Sequence, residues 1–344
     1  MVPMESDAQR LLSVLAAATK LDPTLTCERT ALLRKGSAIL WWANPGQPAL
    51  SIPTLNRYLS LPIEKWIAAS LRQGFEGCLQ VDNEPSVLCD DIALEYDPNE
   101  GLERVQQIVK DVRDRCRHRP RGDVEYRAFR LTLCEQPHIH TAQTLDFLIE
   151  LGVQFKALFE DIPAHLIRGG KFYPCPCCGW PMQIHRAEVC CGAQWCEKTV
   201  GACLWTNGEL FSVQTGRPIS GQSAENRYRL NTALWKFTLI PGVLERRLRD
   251  RLAKLGLKPT LWPDVDRGDV KVEVADQEIW LDAKVWRSPA LLGHQLASSE
   301  SNGTWIVIPD YQKDYVSSLR EQCESRIILT ESQCISRITR LCRR

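Results

Sequence analysis

Between Asp264 and Trp286 the chain carries two stretches in which apolar and polar residues alternate, and this period of two constrains the fold more than any other feature. Val270, Val272 and Val274 alternate with polar neighbours, and Leu281, Ala283 and Val285 alternate with Trp280, Asp282, Lys284 and Trp286. The pattern predicts two adjacent strands joined as a hairpin by the polar turn Ala275-Asp276-Gln277-Glu278. A hairpin brings Asp269, at the start of the first strand, near Asp282 on the second. Asp282 and Lys284, two residues apart, project from one face. Converging carboxylates suit Mg²⁺ (or Mn²⁺), which takes hard oxygen ligands and keeps several waters; the Ala283 carbonyl is a further oxygen. A lysine beside a metal-bound water can orient or help deprotonate the nucleophile and offset charge on a phosphate, so these residue types point to phosphodiester chemistry. A surface hairpin with charges on its wet face shares the pattern, and Asp-x-Lys alone is a weak signal.

The flanking sequence adds context. Pro241 to Gly256 reads as a helix with Leu244, Leu248, Leu252 and Leu255 as its apolar stripe and Gly256 at its C-terminal turn. Pro289 to Ser298 predicts a second helix, and Thr304 to Pro309 a buried strand. The order helix, strand, strand, helix, strand, with Asp282-Ala283-Lys284 as a D-x-K element, resembles the PD-(D/E)xK nuclease superfamily. The resemblance assigns Asp269 to the first acidic position. The Pro263-Asp264 dipeptide lies five residues earlier and keeps Asp264 and Asp266 as rivals. It also makes Glu245 the candidate helix glutamate, completing the metal shell or orienting a water. Gln295 is a weaker candidate for substrate contact.

A cysteine cluster is the second strong feature. In Tyr173-Pro174-Cys175-Pro176-Cys177-Cys178-Gly179, Cys175 and Cys178 have the spacing and trailing glycine of a zinc knuckle. Cys190, Cys191, Cys196 and Cys203 offer the second pair. Cys191 with Cys196 is favoured, with Cys190 the main substitute and His185 a lesser one. A closed set of thiolates leaves no position for substrate, so the expected Zn²⁺ is structural. Met1 to Asp7 has no basic segment followed by an apolar one, so nothing points to secretion or disulfides; the expected compartment is the cytoplasm.

At 344 residues with 44% hydrophobic content, the chain is long enough for two or three cored domains. The predicted class is multidomain α+β: a mostly helical N-terminal region (1–168), a zinc-ribbon-like module (169–213), and a C-terminal α/β nuclease core with a mixed sheet (224–344). Boundaries fall at Arg168 to Lys171 and at Gln214 to Ser223. The N-terminal region predicts helices over 6–20, with Glu5 or Ser6 near its start, and over 54–59, 62–73, 101–117 and 141–159. Ala38 to Trp42 reads as a strand or buried segment, closed by a turn at Asn44-Pro45-Gly46. No apolar run is long enough to span a membrane.

A formal net charge of +1 gives no overall argument for nucleic acid, but local clusters do. Arg246, Arg247, Arg249, Arg251 and Lys254, with Arg227 and Arg229 ahead of them, are positioned to seat a phosphate backbone, or to form a solvated face. Arg113 to Arg121 and the tail with Arg337, Arg340, Arg343 and Arg344 have the same two readings.

The full order, helical region, Tyr-Pro-Cys-Pro-x-Cys-Gly-Trp-Pro-Met, then Pro-Gly-x-x-Glu ahead of Asp269 and Asp282-Ala283-Lys284, resembles the restriction-endonuclease-type companion encoded beside prokaryotic PIWI-RE proteins. That resemblance implies a metal-dependent DNA endonuclease acting in defence against phage or plasmid DNA, with a PIWI-type protein and a DinG-like helicase as partners. The competing class is a zinc-containing adaptor that binds nucleic acid without cutting it; a nuclease acting on RNA is a third. Oligomeric state is not legible.

Overall fold

A computed structural model describes the chain outside residues 1–6, 23, 44–47, 73–74, 82, 97–100, 141–145, 186–187, 299–302 and 344. Glu5, Ser6 and the expected turn at Asn44-Pro45-Gly46 therefore lie outside the described residues. The chain forms two compact units, Met1–Glu103 and Arg104–Arg344. The expected segments 169–213 and 224–344 lie within the second.

The first unit is mostly helical, with one two-stranded ribbon of Gln80–Val81 and Glu84–Pro85. Helix Asp7–Lys20 buries Leu11, Leu12, Leu15 and Ala18, the stripe its 3.6-residue period predicts. Residues 38–42 depart from expectation: they belong to helix Thr26–Ala43, with Trp41 45% and Trp42 73% exposed. A short apolar run cannot distinguish strand from helix, and here Leu33, Gly36, Ile39 and Leu40 share one buried helical face. Among its described residues, the 62–73 stretch holds a 3₁₀ turn, Ile63–Lys65, and the short helix Ala69–Arg72.

The second unit is built on a five-stranded mixed sheet, β1 (Thr260–Leu261), β2 (Val270–Val274), β3 (Gln277–Ala283), β4 (Trp305–Ile308) and β5 (Ile328–Thr330), in that spatial order. β1 to β3 are antiparallel, while β3, β4 and β5 run parallel. Val270, Val272, Val274, Ile279, Leu281 and Ala283 are buried, the larger of them contributing roughly 1.5–3 kcal/mol each. The β2–β3 turn is two residues long. Ala275 and Asp276 both take positive φ, 49° and 61°, which matches the strand twist, and Gln277 and Glu278 belong to the strand.

Helix α1 (Gly122–Glu135) precedes the sheet, and α2 (Ile240–Ala253) leads into it. The helical run into α2 starts earlier than Pro241: Asn231 caps it by accepting from Leu234 N at 2.8 Å, and a π-helical stretch, Trp235–Leu239, accommodates the proline. Leu244, Leu248 and Leu252 are buried as expected, whereas Leu255, beyond the helix end, is 40% exposed. Helices α3 (Pro289–Ser298) and α4 (Val316–Gln322) close one sheet face around Ile306, Ile308 and Ile328. Helix α5 (Glu331–Leu341) packs with α2 and against β4, its N-terminus closed by a Thr330/Gln333 capping box.

The expected helix over 141–159 is replaced, among its described residues, by short helices Asp146–Glu150 and Phe155–Leu158 and then a strand, Phe159–Asp161. Gly152, at φ +65°, interrupts the helical path. That strand and His138–His140 flank Arg227–Leu230 in a three-stranded sheet. Between them, Lys171–Phe172 pairs with Gln222–Ser223, closing off a cysteine-bearing segment whose strands form a five-stranded antiparallel meander. No helix among the described residues is long and apolar enough to cross a membrane.

Candidate active site and structural metal centre

Continuing the β2–β3 register by one residue from Val270 and Leu281 sets Asp269 opposite Asp282. Asp269 N donates to Leu281 O at 3.2 Å, and the Asp269 carboxylate accepts from Ala283 N at 2.7 Å, which fixes the side chain over the D-x-K element. Lys284 Nζ lies 2.7 Å from Asp282 Oδ1, and both side chains are a little over a quarter exposed. Lys284 N donates to Val307 O at 2.8 Å, anchoring the end of the hairpin to β4.

The electrostatics single out Asp269. Burial, then the Glu245 and Asp282 carboxylates, push its carboxyl well above the ordinary aspartate value against the pull of Lys284. Burial works against the Lys284 ammonium, but Asp282 and Asp269 outweigh it and hold its pKa above the ordinary lysine value. Burial and the neighbouring carboxylates thus favour the protonated form of Asp269, and its hard oxygens beside Asp282 are a donor set that fits a divalent cation such as Mg²⁺.

Glu245 is 1% exposed, and both its oxygens are engaged. It accepts from Arg130 Nη2 at 3.2 and 3.1 Å and from Trp262 Nε1 at 2.6 Å. Burial raises its pKa, opposed by Arg130 and Trp262. Its charge couples to Asp269 and Lys284. It does not, however, join the two aspartates in a tight cluster: among the described residues, the one set of three or more possible metal ligands within 4.8 Å of one another is made of cysteines.

The rival aspartates go elsewhere. Asp266 accepts from Tyr126 Oη at 2.7 Å and lies 3.9 Å from Arg130. Asp264 is exposed and 4.0 Å from Arg267. Both belong to a turn in which Trp262, Asp264, Val265 and Asp266 take φ of 43°, 54°, 53° and 69°. Left-handed backbone costs a non-glycine residue about 1–3 kcal/mol, and a β-branched valine is an outlier there. Gln295 is exposed on α3.

The second centre is the tetrad Cys175, Cys178, Cys191 and Cys196, all buried, with ligand atoms within 4.8 Å of one another. A tetrahedron of thiolates around Zn²⁺ at about 2.3 Å has edges of about 3.8 Å; the Cys178 and Cys191 sulfurs are 3.7 Å apart. Cys175 Sγ accepts from Cys177 N at 3.4 Å, and Gly179 turns the knuckle at φ +75°, where a Cβ would meet Pro137 Cγ at 2.6 Å. Hydrogen bonds from Cys178, Cys191 and Cys196 hold the Cys175 thiol well below its ordinary value, and the last two are raised in return, chiefly by Cys175. Such sharing of one charge is what a bound cation replaces with four thiolates. Cys190 and Cys203 stand outside the tetrad, and the His185 side chain lies outside the described residues.

Most of the basic clusters are committed internally. Arg247 and Arg251 each lie 2.8 Å from Glu331 Oε1, Arg249 pairs with Asp250 at 2.6 Å, and Arg246 lies 3.8 Å from Glu135. Arg229 pairs with Glu160 at 2.7 Å and stacks over Trp180. Arg119 pairs with Glu125 at 3.0 Å, and Arg115 donates to Leu151 O. Arg337 stacks over Trp305. Of the two readings of the α2 arginines, the structure adds intramolecular partners, Glu331 and nearby acids, while Arg247, Arg249 and Arg251 keep 47%, 37% and 32% of their side chains exposed.

Sequence reasoning missed Arg130, Tyr126, Trp262 and Glu331. None carries a local signal, because each acts through a partner distant in the chain.

Comparison with known families gives two matches. Residues 242–344 match the family described as REase associating with pPIWI_RE, and residues 60–140 match the pPIWI_RE three-gene island domain Y. No curated protein and no solved structure matches the chain significantly.

Proposed function

Because the chain belongs with the restriction-endonuclease-associated companions of pPIWI_RE islands, we propose that it is a divalent-metal-dependent deoxyribonuclease with a PD-(D/E)xK core. The observation that carries the reading is Asp269 standing opposite Asp282 in the β2–β3 register, with Lys284 Nζ 2.7 Å from Asp282. Asp269 and Asp282 would hold Mg²⁺ (or Mn²⁺), which when bound supplies Lewis acidity and an activated water. Lys284, kept as an ammonium by the two aspartates, meets the charge that builds on the scissile phosphate and orients the attacking water. Glu245, whose charge couples to Asp269 and Lys284, adds negative field and restrains the site. The cysteine tetrad holds structural Zn²⁺. The island setting supports a PIWI-type protein as partner and, with a helicase, a role in defence against phage or plasmid DNA.

The test is cleavage of plasmid, linear duplex and single-stranded DNA by the purified chain in Mg²⁺ or Mn²⁺, beside Lys284→Ala and an EDTA control. Metal-dependent cutting that disappears in the variant supports the assignment. DNA bound but uncut under every condition moves the reading to the zinc-containing adaptor.

A further inference from the structure

Helix α1 lies inside the segment that matches the domain Y family, while Glu245 and Asp269 lie inside the nuclease-type match. The two segments meet through one polar face of α1. Asp123, Tyr126 and Arg130, spaced three and four residues apart, line up along the helix. Asp123 Oδ1 accepts from Val265 N at 3.1 Å, Tyr126 Oη donates to Asp266 at 2.7 Å, and Arg130 grips Glu245 while lying 5.0 Å over the Trp262 ring. Tyr126 is fully buried and Arg130 is 7% exposed. Simple packing of one helix on another would bury apolar side chains at these positions; here polar groups are spent on the left-handed turn between Trp262 and Asp266 and, through Arg130, on Glu245 beside it. That turn is tied to Asp269 directly, because Trp262 N donates to Asp269 O at 2.9 Å.

We propose that Asp123, Tyr126 and Arg130 are positioning residues of the nuclease site: they hold the Trp262–Asp266 turn and Glu245 in place, and thereby set where the Asp269 carboxylate stands relative to Asp282. The inference rests on the reading of Asp269 as a metal-holding carboxylate. It assigns the domain Y segment a share in the site: helix α1 supplies the restraint that the strained turn lacks by itself. A turn with four left-handed non-glycine residues persists only where its surroundings over-determine it.

The test uses the full chain and two readouts other than cleavage: Mn²⁺ binding by titration calorimetry and backbone amide exchange across 262–269. Tyr126→Phe removes one hydroxyl and Asp123→Asn weakens one acceptor, so both keep the helix face filled. Each is expected to weaken Mn²⁺ binding roughly 3- to 10-fold, the scale of one lost hydrogen bond, and to speed exchange in 262–269 while leaving exchange in β4 and zinc content unchanged. Arg130→Lys, which keeps the charge but loses the fork, is expected to retain more Mn²⁺ affinity than Arg130→Met. Unchanged Mn²⁺ affinity and unchanged exchange in both conservative variants would overturn the proposal. Failure of the parental chain to bind Mn²⁺ would instead sink the metal reading of Asp269 and the metal-positioning part of the proposal with it, and the exchange data would still decide whether α1 holds the turn.

Discussion

Glu245 and Arg130 are 115 residues apart in sequence and 3.1 Å apart in space, and each is almost wholly buried. Burial disfavours the Arg130 cation, but Glu245 and Asp266 more than offset it and hold its pKa well above the ordinary arginine value. Removing one partner of such a pair leaves an uncompensated buried charge, typically costing about 3–5 kcal/mol. Glu245→Gln, which keeps the shape, is expected to lower cleavage roughly 10- to 100-fold, the scale seen when a group behind a metal ligand is lost, and to lower the melting temperature. Steady-state rates and thermal melts of the same preparation check both; parental values in both would remove Glu245 from the site.

Asp282→Ala should abolish cleavage, by about a thousandfold or more, while the protein still folds and binds DNA. The side chain is partly exposed and pairs with Lys284, so little packing is lost. A variant that cuts at the parental rate would show that the site lies elsewhere.

The raised pKa of Asp269 fixes the sign of a metal-linked pH effect. In the metal-free protein the folded state holds this proton more tightly than the unfolded chain, whose aspartate pKa is about 3.9. The stabilisation this provides is complete below about that pH and is lost as pH rises through the folded pKa. A cation at Asp269 must displace the proton, so the rise in melting temperature on adding Mg²⁺ is expected to grow as pH rises above the ordinary aspartate range. Asp269→Asn should flatten that dependence. A Mg²⁺ increment that shrinks with pH would contradict the assignment.

Metal analysis is expected to find about one zinc per chain. Cys178→Ser should lose it and lower the melting temperature by on the order of 10 °C. Cys190→Ser, outside the tetrad, should keep it. Zinc retained in Cys178→Ser and lost in Cys190→Ser would reverse the ligand set.

Glu331, 1% exposed at the start of α5, receives Arg247 and Arg251 from α2 at 2.8 Å each. Glu331→Gln is expected to cost about 1–3 kcal/mol in denaturant unfolding, the scale of hydrogen bonds to a charged group. Because both arginines are partly solvated, they re-hydrate rather than remain stranded. A loss below about half a kilocalorie per mole would make the bridge incidental.

Local sequence determined what depends on near neighbours. The period of two around Val270 to Ala283 sets a hairpin register and hence the opposition of Asp269 and Asp282, and the Cys175–Cys178 spacing sets a knuckle. It misread Ala38 to Trp42, where a five-residue apolar run carries no period, and the β2–β3 turn, where Ala275 and Asp276 adopt left-handed backbone that their side chains do not advertise. Tertiary structure decided among the second cysteine pairs that spacing left open, where the rival Asp264 and Asp266 go instead, and what surrounds Glu245. Those outcomes turn on burial, charge pairing and hydrogen bonds between groups far apart in the chain, up to 142 residues for the Val265 N–H donating to Asp123. The energy of a buried carboxylate depends on partners that only the folded chain brings within hydrogen-bond reach.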